Sequence, residues 1–158
     1  MTLETRTVGP ADTRRDPVAS ELNRLLADTY ALYQKTLYYH WNVTGPSFPS
    51  LHRTFEQQYE ELQEATDVVA ERLRQLGVET PPFGEAMTRL TSVADDEVAP
   101  GAMQMVRALA DARDAVIATA HDVLAAADAH DDVATTDLVT QQIVGHEKAA
   151  WMLRSTAS

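Results

Sequence analysis

The sequence predicts an all-α protein: a four-helix bundle with a long crossover, itself containing a short helix, between helices two and three. Three observations predict it. Gly and Pro are few, 6 and 7 of 158 residues, so long stretches run without a helix breaker. Apolar residues recur at intervals of three and four, the period of one helix face, in four separate stretches. One connection, residues 78–99, is long enough to run the height of a bundle and too long for a tight turn.

Residues 1–16 mix Thr, Arg, Asp, Gly and Pro without periodicity and read as a flexible N-terminal tail; residues 17–156 read as one bundle domain. From Pro17 the positions Leu22, Leu25, Leu26, Leu32, Tyr33 and Leu37 share a face, so the first helix should run to about Val43, where Thr44-Gly45-Pro46-Ser47 breaks it. A second helix follows from about Pro49 to Leu76, with Leu51, Phe55, Tyr59, Leu62, Val69 and Leu73 on its stripe and Gly77 as its stop. The connection after it holds Pro81-Pro82, a short helix near Phe83–Leu90 and the acidic run Asp95-Asp96-Glu97. A third, alanine-rich helix should span about Gly101 to Ala127, implying close helix contacts. A turn over Asp128–Asp132 leads to a fourth helix from about Thr135 to Arg154.

Composition narrows the function classes. There is no cysteine, which excludes disulfides and thiolate metal sites. No apolar run approaches the ~20 residues that span a bilayer, and MTLETRTVGPADTRRDP has no apolar signal core, so a cytoplasmic protein is expected, with no membrane partner. The net charge of −11 repels nucleic acid and attracts cations, and the tail lacks a basic excess, so DNA binding is not expected.

The residues with chemical potential cluster on the first two helices. His52 with Glu56, and Asp67 with Glu71, are i,i+4 pairs, each placing two metal-capable groups side by side. Imidazole with carboxylate suits Fe(II), Mn(II) or Zn(II). Surface helices carry many such pairs, and neither alone marks a metal. The second pair begins fifteen residues after the first, about 22 Å farther along one helix, so one chain cannot close the four groups on one ion. A two-fold related copy can. A core di-iron site would need Glu-x-x-His motifs, and no Glu here has a His three residues later. A metal site in this chain therefore belongs at an interface. His40-Trp41-Asn42, at the end of helix one, adds a third group.

The segments HWNVTGPSF and LHRTFEQQYEEL, the D-x-x-x-E-R of Asp67, Glu71 and Arg72, and the terminal HEKAAWMLRS resemble the Dps family, the DNA-binding proteins from starved cells, which are ferritin-like miniferritins. The resemblance covers roughly residues 20–156 and implies a ferroxidase that protects against oxidative damage. In that family the centre lies at a two-fold interface. One subunit supplies the residues matching His40, His52 and Glu56, its mate those matching Asp67 and Glu71, and Trp41 matches a tryptophan thought to receive oxidising equivalents. It further implies iron as the metal, hydrogen peroxide as oxidant, and a hollow dodecamer of two-fold dimers storing ferric mineral. Asp132 and Asp137 are candidates for its acid-lined pores, and Glu60, Glu61 and Glu64 for mineral nucleation. His121, His130 and His146 have no matching partner and read as structural or surface residues. Tyr38-Tyr39 and Arg53 depart from the common pattern without touching the matched ligands. The competing readings are a DNA-compacting structural protein, a bare assembly module and a divalent-metal buffer without turnover.

Overall fold

Asp16 has a side chain that can close a helix, and Pro17 has no amide to leave unpaired. In the computed structural model, which describes residues 16–158, the Asp16 carboxylate accepts from the amides of Val18 (3.0 Å) and Ala19 (3.3 Å) and starts α1, Pro17–Asn42. Asp16 thus belongs to the helix start; the rest of the expected tail, residues 1–15, lies outside the described residues. Gly45, at φ +100°, turns the chain between α1 and α2, Phe48–Gln75. The end of α2 is a Schellman motif: Gly77, at φ +81°, donates to the Arg74 carbonyl and Val78 to the Leu73 carbonyl, both at 3.0 Å.

The crossover contains α3, Glu85–Leu90, two residues shorter at its start than expected because Gly84 sits at φ +85°. Then come α4, Ala102–Ala129, and α5, Val133–Thr156. Helix α5 starts two residues before the expected Thr135 because Asp132 is its N-cap, accepting from the Thr135 amide at 3.0 Å. The described residues are all helix, turn and irregular chain.

Helices α1 and α2 form one hairpin, α4 and α5 the other, and α1 packs antiparallel on α4. Tyr39, Phe55, Leu62, Leu73, Leu109, Val116 and Leu153 are among the fully buried side chains of the shared core. The buried alanines of α4 (Ala110, Ala112, Ala120) allow close helix packing. The seam between α2 and α5 is looser. A cleft of about 500 Å³ lies along it, with Glu61, Glu64, Arg113, Asp137 and His146 in its walls.

Two polar clusters fasten the crossover to the bundle. Asp28, 1% exposed, accepts from the Thr91 hydroxyl (2.9 Å), the Ser92 amide (2.5 Å) and hydroxyl (2.8 Å) and the Thr119 hydroxyl (2.6 Å), joining α1, the crossover and α4. Lys35 reaches the Ala94 carbonyl (2.8 Å) and Asp96 (2.7 Å), and the Tyr39 hydroxyl donates to the same Asp96 carboxylate. Burial and that bond push the Tyr39 phenol far above its ordinary range. Burial opposes ionisation of Asp96, but the bonds from Lys35 and Tyr39 outweigh it and hold the carboxyl below its usual range.

Candidate metal centre

His40 stands in the last turn of α1 and His52 in the second turn of α2, and the short 43–47 connection folds one against the other. Their rings stack at 3.8 Å between centroids and 17° between planes. The Nδ1 of His40 lies 2.8 Å from the His52 carbonyl oxygen, and the Nδ1 of His52 lies 2.9 Å from the His40 carbonyl oxygen. A carbonyl oxygen can only accept, so each Nδ1 carries a hydrogen, which in the neutral tautomer leaves the lone pair on Nε2. Fixing the tautomer through the second nitrogen is the usual support for a ligating histidine. The helix hairpin therefore presents two imine nitrogens with orientations set by backbone atoms.

Glu56 lies one turn beyond His52 and is exposed. Asp67 and Glu71 are exposed too, on the same helix about 22 Å and about 28 Å from His52 by helix rise. Among the described residues none of these three carboxylates is in a hydrogen bond or ion pair with another side chain. Nor do three His, Asp or Glu groups of this one chain converge closely enough to hold a metal. The structure brings His40 and His52 together with Glu56 a turn away, and leaves Asp67 and Glu71 apart, so the candidate ligands fall into two separate groups. Trp41, beside His40, is 67% exposed.

Among the described residues the bundle centre holds no ligand set in their place. Arg113 (3% exposed) projects from α4 there, with its Nη1 3.0 Å from Nδ1 of His146 (3% exposed) and its Nη2 3.4 Å from Oε1 of Gln58. Burial, then the neighbouring guanidinium, hold His146 down to about 3; burial takes Arg113 down to about 10, opposed by Glu61. His146 is thus a neutral acceptor for a buried cation, and a cation at the centre opposes metal binding there.

The remaining candidates fall into place individually. Asp132 caps α5 and pairs with Arg72 at 2.8 Å, while Arg72 Nε donates to the Thr135 hydroxyl at 2.9 Å. Burial resists its ionisation, but the Thr135 hydroxyl and amide and the Arg72 charge keep its carboxyl low. Asp132 is therefore committed to structure, whereas Asp137 is exposed and, among the described residues, accepts only from Gln141, at 2.9 Å. Glu60, Glu61 and Glu64 are exposed, with Glu61 and Glu64 on the α2–α5 cleft. His121 is exposed, and His130 caps the end of α4 through its bond to the Ala126 carbonyl. Sequence reading missed Asp28, Arg113 and the Lys35–Tyr39–Asp96 cluster. An Asp and a Lys on the inward side of an amphipathic helix were the available signal, since unpaired charges are not buried.

Residues 19–158 match the ferritin-like domain family. A low temperature-induced protein of a Nostoc species is 39% identical over 150 residues, covering 94% of this chain and 84% of that protein. A DNA protection during starvation protein of Brevibacillus brevis is 36% identical over 141 residues, covering 87% of this chain and 93% of its own. The crystal structure of a Dps protein from Vibrio cholerae O1, described as one of the ferritin-like diiron-carboxylate proteins, superposes with a TM-score of 0.88 at 27% identity, covering 100% of this chain and 99% of that one. The four-helix architecture with its mid-chain crossover, the paired histidines and these likenesses agree: the chain belongs to the ferritin-like proteins of the Dps family.

Proposed function

We propose that this protein is a ferroxidase and iron-storing miniferritin. It oxidises Fe(II) with hydrogen peroxide at dinuclear sites shared across a two-fold interface, and it stores the ferric product in a hollow shell, a dodecamer of such dimers. One observation carries the reading. His40 and His52 are oriented by each other's backbone carbonyls, while the carboxylate pair that would complete the site is about 22 Å away on the same helix. In this reading a second copy, not a rearrangement of this one, supplies Asp67 and Glu71.

In this reading Fe(II) is the substrate. Nε2 of His40 and of His52 and the Glu56 carboxylate bind it from one side, and the partner's Asp67 and Glu71 from the other. Carboxylates favour the hard ferric product, and two irons held together give peroxide both electrons it needs to become water. Capture of both electrons at the protein limits hydroxyl radical release, which is the protective function. The net charge of −11 draws Fe(II) toward the shell and disfavours DNA condensation as the activity.

The test is anaerobic loading with Fe(II), then limiting hydrogen peroxide, with oxidation followed by ferric absorbance. Wild type should oxidise its bound iron rapidly and Asp67→Ala only slowly, with helicity and assembly retained. Equal rates in the two proteins would refute the shared site. Bound iron that peroxide leaves in the ferrous state would point to a divalent-metal buffer instead.

A further inference from the structure

From the histidine pair a continuous run of aromatic rings leads away along the α1–α2 hairpin. His40 meets Tyr59 edge-on, with 5.2 Å between centroids at 75°. Tyr59 meets Tyr33 at 6.3 Å and 74°, and Tyr33 stacks on Tyr30 at 6.0 Å and 29°. Each of these spacings lies within the range of direct ring contact. Tyr30 and Tyr33 then line an open groove of about 700 Å³ whose walls also carry Glu60, Glu64 and Asp67. The run therefore starts at His40 and ends at a groove that Asp67 also lines.

We propose that Tyr59, Tyr33 and Tyr30 form a one-electron relay joining the His40–His52 half-site to the Asp67 half-site of the same chain. The inference rests on the ferroxidase reading above and adds a route for electrons between two sites that share no ligand.

Packing alone does not account for the choice of tyrosine. All three rings are half-buried, and among the described residues no protein group hydrogen-bonds their hydroxyls, so phenylalanine would fill the space equally well. Tyr39 is the contrast: fully buried, with its hydroxyl committed to Asp96. Phenols that reach solvent can exchange the proton that must leave when a tyrosine loses an electron. Trp41, 67% exposed, makes no ring contact with another aromatic among the described residues, so the run of touching rings passes through Tyr59.

The chemistry balances with peroxide as oxidant. When the shared centre built on the His40–His52 pair holds only one Fe(II), that iron gives peroxide one electron, the O–O bond breaks, and the products are Fe(III), hydroxide and one hydroxyl-radical equivalent. Tyr59 supplies an electron and its phenolic proton to that equivalent, giving water and a Tyr59 phenoxyl radical. Tyr33 and then Tyr30 pass an electron back along the run, each losing its phenolic proton to solvent while the tyrosine it restores takes one up. Fe(II) bound at the Asp67 end reduces the Tyr30 radical, which recovers its proton. The sum is two Fe(II), one peroxide and two protons giving two Fe(III) and two waters. One peroxide is thus fully reduced by single irons at separate sites, and no radical leaves.

The test uses the assembled full-length protein carrying less Fe(II) than it has histidine pairs, mixed with peroxide and freeze-quenched for electron paramagnetic resonance. Wild type grown on ring-deuterated tyrosine should show a phenoxyl signal with altered hyperfine splitting, which separates it from a Trp41 radical. Tyr59→Phe should lose the signal and release hydroxyl radical to a spin trap in solution. Tyr30→Phe should retain a radical on Tyr33 that decays more slowly than in wild type, because its exit is gone. The control Tyr39→Phe should match wild type. Iron oxidised by peroxide with the same radical yield in wild type and Tyr59→Phe would overturn the relay and leave the ferroxidase standing. Absence of peroxide-dependent iron oxidation in wild type would overturn both.

Discussion

Two inactive subunits should make an active dimer. His52→Ala removes one half-site from a chain and Asp67→Ala the other, and each variant assembled alone should lack any complete ligand set. The separation sets the magnitude. Metal–ligand bonds to nitrogen and oxygen are about 2 Å long, whereas fifteen residues of α2 place the two half-sites about 22 Å apart. No side-chain motion within a chain closes that gap. Under two-fold symmetry a heterodimer of the two variants pairs the intact histidine side of one chain with the intact carboxylate side of the other, and its second site loses both. Random exchange makes half the dimers mixed, with one of two sites intact in each, so about a quarter of the wild-type sites should return. The assay is co-refolding of the two tagged variants at equal concentration, followed by Fe(II) titration and peroxide-driven oxidation per subunit. Recovery no greater than the mean of the two variants alone would refute the shared site, as would a single variant with wild-type activity.

Other outcomes follow from the buried polar groups. Asp28→Ala should cost about 3–5 kcal/mol, because it strips four hydrogen bonds from a buried carboxylate and leaves their donors inside. At roughly 2–4 °C per kcal/mol for a chain of this size, differential scanning calorimetry at fixed protein concentration should find the midpoint lowered by roughly 6–20 °C. His146, held down to about 3 in the folded chain, stays neutral while the unfolded chain protonates near pH 6.5. The unfolded state then binds more protons, so this stability is complete above pH 6.5 and is lost as pH falls toward 3. Between pH 6.5 and 5 the loss should reach about 1.6 kcal/mol. Denaturant titrations at the two pH values should show it in wild type, and His146→Gln should remove most of the difference. A wild-type slope unchanged by that substitution would place the titrating group elsewhere.

The helices were legible because their determinants are local. Apolar spacing, the Thr44-Gly45-Pro46 break, Gly77 and Pro17 act within a few residues of where they stand, and they located α1 and α2 to within a residue or so. The ligand candidates were named for a related reason: i,i+4 spacing and the distance along α2 are properties of one helix, and they underlie the proposal that the carboxylates serve another chain. What only the tertiary structure decided were contacts between segments far apart in sequence. Nothing near His40 announces that its tautomer is held by the His52 carbonyl, because that bond exists only once the hairpin has closed. Asp132 could pass for a pore carboxylate until Arg72, sixty residues away, was seen paired with it. Asp28 and Arg113 went unremarked in the sequence because their partners come from other helices and the crossover. Burial makes an unpaired polar group costly, so it forces such pairings, but which groups meet depends on how the helices pack.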